Sequence, residues 1–166
     1  MRPIALLLLI AAFAVGGCGD DEGDGAATPR SDDAAVTKED DDAAEMEHNG
    51  AVITLGDSEF GTMLFDSNEQ AIYVFERDRR EKTVCYGDCA EAWPPVFTEG
   101  EPQAAKGVRA SLLGTIKRRD GRSQVTYAGK PLYFYAHENP GDVRCHNVDL
   151  NGGFWWVVGP DGKRRP

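Results

Sequence analysis

Residues 71–78 read Ala-Ile-Tyr-Val-Phe-Glu-Arg-Asp, and residues 131–138, sixty positions later, read Pro-Leu-Tyr-Phe-Tyr-Ala-His-Glu. Both stretches follow the pattern Tyr-x-aromatic-x-x-acid. The same offset places Cys85 on Cys145. Similarity within one chain at a single fixed spacing indicates two copies of one supersecondary unit.

Each copy has the pattern of β-structure. Short apolar runs alternate with turn-forming residues such as Asp120-Gly121, which is typical of antiparallel hairpins. The predicted strands cover residues 62–65, 72–75, 115–119, 124–127, 132–135 and 154–158. One short helical turn is predicted near residues 88–93, where Pro94-Pro95 ends it. The sequence therefore predicts an all-β or mostly β domain of antiparallel hairpins in two related repeats.

The N-terminus has the pattern of an export signal. Arg2 precedes an uncharged apolar run over residues 4–15, which is too short to cross a bilayer. Small residues then lead to Cys18, and this ending resembles a bacterial lipobox. We therefore expect residues 1–17 to be removed and Cys18 to carry a diacylglycerol and acyl modification. The alternative is an ordinary signal peptide with an incidental cysteine.

The acidic charge of the chain is concentrated behind Cys18. Residues 19–49 contain twelve acidic and two basic residues and no aromatic residue, so we expect this segment to be a disordered tether. The net charge of the whole chain is −10, and residues 50–166 are close to neutral. An acidic tether keeps the domain away from an anionic membrane surface and argues against a nucleic-acid partner.

Four segments of residues 50–166 carry a resemblance to a known family. They are residues 73–78, the Cys-x-x-x-Cys and Trp-Pro-Pro stretch at 85–95, residues 119–133, and Gly-Phe-Trp-Trp-Val-Val at 153–158. In these the chain resembles the bacterial predicted lipoproteins with a repeated Y-x-(F/W/Y)-x-x-D motif. The resemblance implies a secreted or lipid-anchored protein and no established molecular activity. Two departures are Glu138 in place of Asp, and Cys145-His146 where the family usually has Gly-rich polar sequence.

A structural role is the simpler explanation of the tyrosine motif. In a strand, the tyrosine and the aromatic residue two positions later share one face, and the acid lies just past the strand end. There a carboxylate can accept hydrogen bonds from a turn or from a tyrosine hydroxyl. A functional site is the alternative. The motif residues are Tyr73, Phe75, Asp78, Trp93, Tyr133, Tyr135 and Glu138.

Three cysteines remain after Cys18. In an oxidising compartment thiols tend to pair, and an odd number leaves one over. The simplest pairing joins Cys85 to Cys89 around Gly87, which leaves Cys145 free. A bridge from Cys145 to either of the others, and unpaired or metal-bound thiols, are the alternatives.

The functional prediction is a lipid-anchored cell-envelope lipoprotein, outside the cytoplasm on the plasma or outer membrane. Residues 50–166 form its domain, with repeats at about 50–105 and 106–166. No enzyme motif and no cofactor signature is present, so we expect a noncatalytic binding or structural module with an envelope protein as its partner. The alternative is a redox protein, or a copper or zinc site, that uses Cys85, Cys89, Cys145 and His146.

Overall fold

The computed structural model describes residues 49–166. The predicted signal peptide, the lipidation site Cys18 and the acidic tether lie outside the described residues. Among residues 49–166, no helix combines the length and apolar character that a membrane crossing requires.

The described residues are mostly β, as the sequence predicts. In chain order the elements are β1 Val52–Ser58, β2 Gly61–Asp66, β3 Tyr73–Phe75, α1 Asp88–Ala92, β4 Phe97–Thr98, β5 Gln103–Ala104, a 3-10 turn Ala110–Leu112, β6 Leu113–Lys117, β7 Ser123–Tyr127, β8 Lys130–Pro131, β9 Val148–Leu150 and β10 Gly153–Val157. The short helix α1 coincides with the predicted helical turn.

Three small sheets contain these strands, with the orders β2-β1-β5, β3-β10-β9 and β4-β7-β6; β8 pairs with β7. All pairs are antiparallel except β1 with β5. Two of the sheets mix the repeats: β3 of the first pairs with β10 of the second, and β4 of the first pairs with β7 of the second. The repeats are therefore interleaved rather than placed side by side.

The backbone repeats the sixty-residue offset seen in the sequence. Left-handed conformations occur in four pairs at that offset, Gly61 and Gly121, Glu69 and Gly129, Glu81 and Gly141, and Gly87 and Asn147. Residues with a Cβ seldom adopt positive φ, so four coincidences at one spacing show that both repeats follow the same turns.

The strand predicted over residues 132–135 is not formed as a continuous strand. Residues 132–135 do not form a continuous ladder, because Tyr133 makes isolated bridges to both Tyr73 and Pro95. The preceding residues form only the two-residue strand β8, which includes Pro131. Proline lacks an N–H group, so it cannot donate to a ladder.

Strand β3 lies between two apolar clusters. Tyr73 and Phe75 enter an aromatic cluster that also contains Trp93, Tyr133 and Trp155. Val74, on the opposite face, enters an aliphatic cluster with residues such as Ile53, Leu64 and Val125. Alternating side chains on opposite faces of a strand explain this division, and they place the tyrosine motif in the interior.

Candidate functional site

The two motif tyrosines meet as a backbone pair. The Tyr73 N–H donates to the Tyr133 carbonyl at 2.8 Å, and the Tyr133 N–H donates to the Tyr73 carbonyl at 3.0 Å. Both side chains are fully buried. This reciprocal pair is one of the contacts that join the repeats, beside the strand pairs β3–β10 and β4–β7.

Each tyrosine bonds the acidic residue of the other repeat. The Tyr73 hydroxyl donates to the Glu138 carboxylate, with oxygen–oxygen distances of 2.8 and 2.9 Å. The Tyr133 hydroxyl donates to Asp78 Oδ2 at 2.6 Å. The motif is therefore completed across the repeats, and Glu138 takes the same role as the aspartate.

Backbone groups hold the two carboxylates in equivalent ways. Asp78 Oδ1 accepts from the Val84 N–H at 2.8 Å, and Glu138 Oε1 accepts from the Arg144 N–H, sixty residues later. The loop after each acid is thus fixed by the carboxylate that precedes it. This is the turn-binding role expected from the position of an acid just past a strand end.

Burial shifts the pKa values of both tyrosines and both carboxyls. It raises the pKa of the Asp78 and Glu138 carboxyls, and the hydrogen bonds that each carboxylate accepts offset part of that rise. Burial also raises the pKa of Tyr73 and Tyr133, and the adjacent carboxylate raises it further in both cases. The tyrosines are therefore neutral hydrogen-bond donors at ordinary pH.

A stack of four aromatic rings passes between the tyrosines. Trp93 and Trp155 lie face to face with ring centroids 3.8 Å apart and planes 3° apart. Phe75 stacks on the outer face of Trp155 at 4.3 Å, and Tyr135 lies on Trp93 at 4.7 Å. We call these four residues the aromatic stack.

The phenols meet this stack edge-on. Tyr73 contacts Trp93 with ring centroids 5.4 Å apart, and Tyr133 contacts Trp155 at 5.2 Å. Edge-to-face and offset arrangements are the ones that aromatic quadrupoles favour. Each side of the stack repeats the other, so the symmetry of the sequence is also a symmetry of the packing.

The cysteines divide into a bridge and a free thiol. A disulfide joins Cys85 to Cys89, and Cys145 is free and buried. Burial, together with the Glu138 charge, raises the pKa of the Cys145 thiol to about 11. A buried thiol with such a pKa carries little of the nucleophilic thiolate at neutral pH.

The alternative metal set does not converge. The imidazole of His146 accepts at Nδ1 from the Val157 N–H at 3.4 Å, which leaves Nε2 to donate to the Pro166 carbonyl at 3.1 Å. Cys85 and Cys89 are bonded to each other. Among the described residues, no group of three or more His, Cys, Asp or Glu side chains could hold a metal ion.

Arg118 is a buried residue that the hairpin pattern alone does not reveal. Its guanidinium donates to Gln124 Oε1 and to the Cys85 carbonyl, both at 2.7 Å. It thus ties the hairpin of the second repeat to the disulfide loop of the first. The alternation of strand faces could have predicted this burial, because Arg118 lies two residues after the buried Ile116 and therefore on the same face.

Two segments of the chain, residues 54–97 and 114–159, match the family described as a secreted repeat of unknown function. The chain belongs to this family. Each matched segment contains one copy of the tyrosine motif and one tryptophan of the aromatic stack, so the secreted repeat coincides with the internal symmetry. No curated protein and no solved structure matches the chain.

Membership of the secreted repeat family confirms the resemblance seen in the sequence. The description as secreted supports an extracytoplasmic location for this chain. The interior described above is thus the place where the two secreted repeats of this chain meet.

Proposed function

We propose that this protein is a cell-envelope lipoprotein, anchored by a lipid on Cys18, whose domain at residues 50–166 is a noncatalytic binding or structural module. The observation that carries the proposal is the inward direction of the repeated motif. Tyr73 and Tyr133 are fully buried, and their hydroxyls bond Glu138 and Asp78. The motif therefore builds the module.

The expected location follows from three features taken together. The family is described as secreted, the apolar N-terminal segment ends in the lipobox-like Cys18, and the domain contains a disulfide. Disulfides persist in oxidising compartments outside the cytoplasm. The acidic tether at residues 19–49 would then place the module at a distance from the membrane, where it meets an envelope protein.

Growth of the native bacterium with an alkyne-bearing fatty acid tests the anchor. The label is expected on the chain, together with partition into detergent. Both should be lost in Cys18→Ala and kept in Cys145→Ala, because Cys145 is buried in the domain. A label that survives Cys18→Ala, or is missing from the unmodified chain, would contradict the proposed anchor.

A further inference from the structure

A cleft of about 450 Å³ lies against Val74 of strand β3. Its apolar part contains Val74 and the indole of Trp156, and its cationic part contains Lys130, Lys163 and Arg164. A cleft of this volume can hold a small organic ligand. The two parts together suit a molecule that has an anionic group and an uncharged remainder.

The Lys130 ammonium is held beside the segment that carries the other two cations. Its Nζ donates to the Gly162 carbonyl at 3.1 Å, immediately before Lys163 in the chain. Lys130 is half-buried, and both this burial and the nearby Arg164 charge lower the pKa of its ammonium. Like charges are therefore held near each other at the cleft, and an anion bound between them would stabilise both.

The three cations have unused hydrogen-bond donors. Lys130 uses one N–H group for the Gly162 carbonyl, and the side chains of Lys163 and Arg164 donate no hydrogen bond to any residue in the described range 49–166. Arg164 Nη1 lies 3.8 Å from Glu76 Oε2, which is longer than a hydrogen bond. An exposed pair of this kind contributes little, so a ligand can replace it.

The other acids near the cleft are engaged by other donors. Asp78 also lines the cleft, but its carboxylate accepts from the Tyr133 hydroxyl and the Val84 N–H. Asp161 Oδ1 accepts from the backbone N–H of Lys163 at 3.2 Å. The cationic part of the cleft is therefore left with donors that these carboxylates do not satisfy.

Trp156 positions the Arg164 guanidinium. The guanidinium carbon lies 4.6 Å from the centroid of the indole, a cation–π contact that restricts the arginine and leaves its N–H groups free. The indole N–H of Trp156 is itself shielded from water and has no acceptor among the residues that the structure describes. A buried donor without a partner calls for an explanation in a native protein, and a bound ion is one of them.

We infer that this cleft binds a phosphate monoester, with the phosphate held by Lys130, Lys163 and Arg164 and the organic part against Val74 and Trp156. The assignment names a ligand class for the proposed binding module and rests on that proposal, but it does not depend on the lipid anchor. The phosphate belongs to a free ester or to the head group of a lipid, since both present the same dianion.

The number of separate cations favours phosphate over carboxylate. A carboxylate carries a single charge on two oxygens in one plane, whereas a phosphate monoester carries nearly two charges on three terminal oxygens. Lys130, Lys163 and Arg164 can each donate to a different oxygen of such a group. Charge-assisted hydrogen bonds of this kind are the strong ones, and both lysine and arginine bind phosphate in proteins.

Glycerol 3-phosphate and glycerate are the matched probes, because they differ chiefly in the anionic group. Isothermal titration calorimetry uses the chain from residue 18 onward, with Cys18→Ala to remove the anchor and with the disulfide intact. We expect saturable binding of glycerol 3-phosphate, at least about tenfold tighter than binding of glycerate. The NMR resonance of the Trp156 indole N–H should shift over the same titration, which places the ester at the cleft.

The substitutions Lys130→Gln and Arg164→Gln each remove one charge from the cleft. Each should weaken ester binding by about tenfold, because a hydrogen bond to a charged group is lost. Lys106→Gln is the matched control, since Lys106 is exposed and does not line the cleft. Absence of ester binding, equal binding of glycerate, or an equal loss in Lys106→Gln would overturn the site. Circular dichroism of each variant checks that it is folded.

Vesicles of phosphatidylcholine with and without phosphatidic acid distinguish the two sources of the phosphate. Sedimentation of the Cys18→Ala chain with phosphatidic acid, lost in Arg164→Gln, would assign the site to a lipid head group. Binding of glycerol 3-phosphate alone would assign it to a free ester, and either result supports the site.

Phosphorus NMR of the ester separates this inference from the proposed noncatalytic role. The ester is expected to remain intact during the titration. Release of inorganic phosphate would contradict the noncatalytic role and leave the site standing. A failed titration would remove the site and leave the anchored module, which the fatty-acid label tests independently.

Discussion

Two tyrosine hydroxyls in this domain each donate to a carboxylate: Glu138 is buried, and Asp78 is half-buried. Asp78 accepts from the Tyr133 hydroxyl and from the Val84 N–H, and the Thr83 hydroxyl lies 2.6 Å from the tyrosine oxygen. A buried acceptor that loses one partner is costly, because the desolvation of the charge remains. The tyrosine and the acid are therefore one energetic unit.

The substitution Tyr133→Phe tests this unit. We expect it to lower the free energy of unfolding by about 1–3 kcal/mol, because it removes a hydrogen bond to a charged, half-buried acceptor. Urea denaturation followed by tryptophan fluorescence measures the change. Tyr127→Phe is the matched control, since its hydroxyl bonds two uncharged backbone groups, the Pro160 carbonyl and the Arg109 N–H; an equal loss in both variants would contradict the special role of the carboxylate.

The same carboxyls predict how stability depends on pH. Their pKa values are raised in the folded state, so the folded protein binds more protons than the unfolded chain between the ordinary and the raised values. Stability should therefore rise as the pH falls from neutral through the raised pKa values, until it levels off near pH about 4, the ordinary carboxyl range. Thermal unfolding over this range measures the trend.

The substitutions Asp78→Asn and Glu138→Gln should together flatten that trend. Asp120 and Asp161 act in the opposite sense, because hydrogen bonds lower their pKa values; their contribution is lost only at still lower pH. A melting temperature that falls steadily from neutral to mildly acid pH would show that the carboxyls of Asp78 and Glu138 do not govern the dependence.

Cys145 gives a prediction about reactivity. With a thiol pKa of about 11 in place of 9.0, its thiolate fraction at pH 8 is smaller by about a hundredfold, so alkylation by iodoacetamide should be slower by at least that factor than for a free cysteine. Denatured protein should react at the ordinary rate. Rapid alkylation of the folded chain, measured by intact mass, would place Cys145 at the surface.

At the scale of elements, local patterns predict more than long-range partners. Strands β2, β3, β6, β7 and β10 overlap the predicted runs, because apolar alternation and turn residues are local signals. The parallel pair of β1 and β5 has no such signal, since β5 contains only Gln103 and Ala104. Its position depends on a chain segment that passes beside β1 only in the folded molecule.

The candidate site shows the same limit. Period two predicts that Tyr73 and Phe75 share a face, and position predicts that Asp78 can bond a tyrosine hydroxyl. Neither rule specifies that the hydroxyl belongs to Tyr133 of the other repeat, because that partner is set by the long-range backbone bridge between Tyr73 and Tyr133. A repeat in the sequence shows which residues are equivalent, but it does not show that the tyrosine of one repeat bonds the acid of the other.

Gly50 tests the pairing of β1 with β5. A Cβ built on Gly50 would lie 1.9 Å from the Glu101 carbonyl oxygen, which is backbone just before β5. Gly50→Ala should therefore destabilise the domain by about 1–3 kcal/mol, the usual cost of overpacking. Gly100→Ala is the control, because its nearest contact is an ordinary 3.5 Å and we expect a change within about 0.5 kcal/mol.

At the scale of the whole molecule, the two repeats share their interior. Two of the three sheets take strands from both repeats, and each tyrosine finds its carboxylate in the other one. The tryptophans also stack across the boundary. An isolated repeat would expose these rings and leave each tyrosine without its acid, so neither repeat has a core of its own.

The separate fragments 50–105 and 106–166 are therefore expected to be unfolded. Mixed in equal amounts, they should regain the β-sheet signal and the buried fluorescence of Trp93 and Trp155, because association restores the pairs β3–β10 and β4–β7. Analytical ultracentrifugation with circular dichroism measures this. Tyr133→Phe in the second fragment should weaken the association, since it removes one cross-repeat bond. Cooperative unfolding of either fragment alone would contradict this prediction. It would show that a repeat folds independently and does not need the tyrosine–carboxylate bonds to the other repeat.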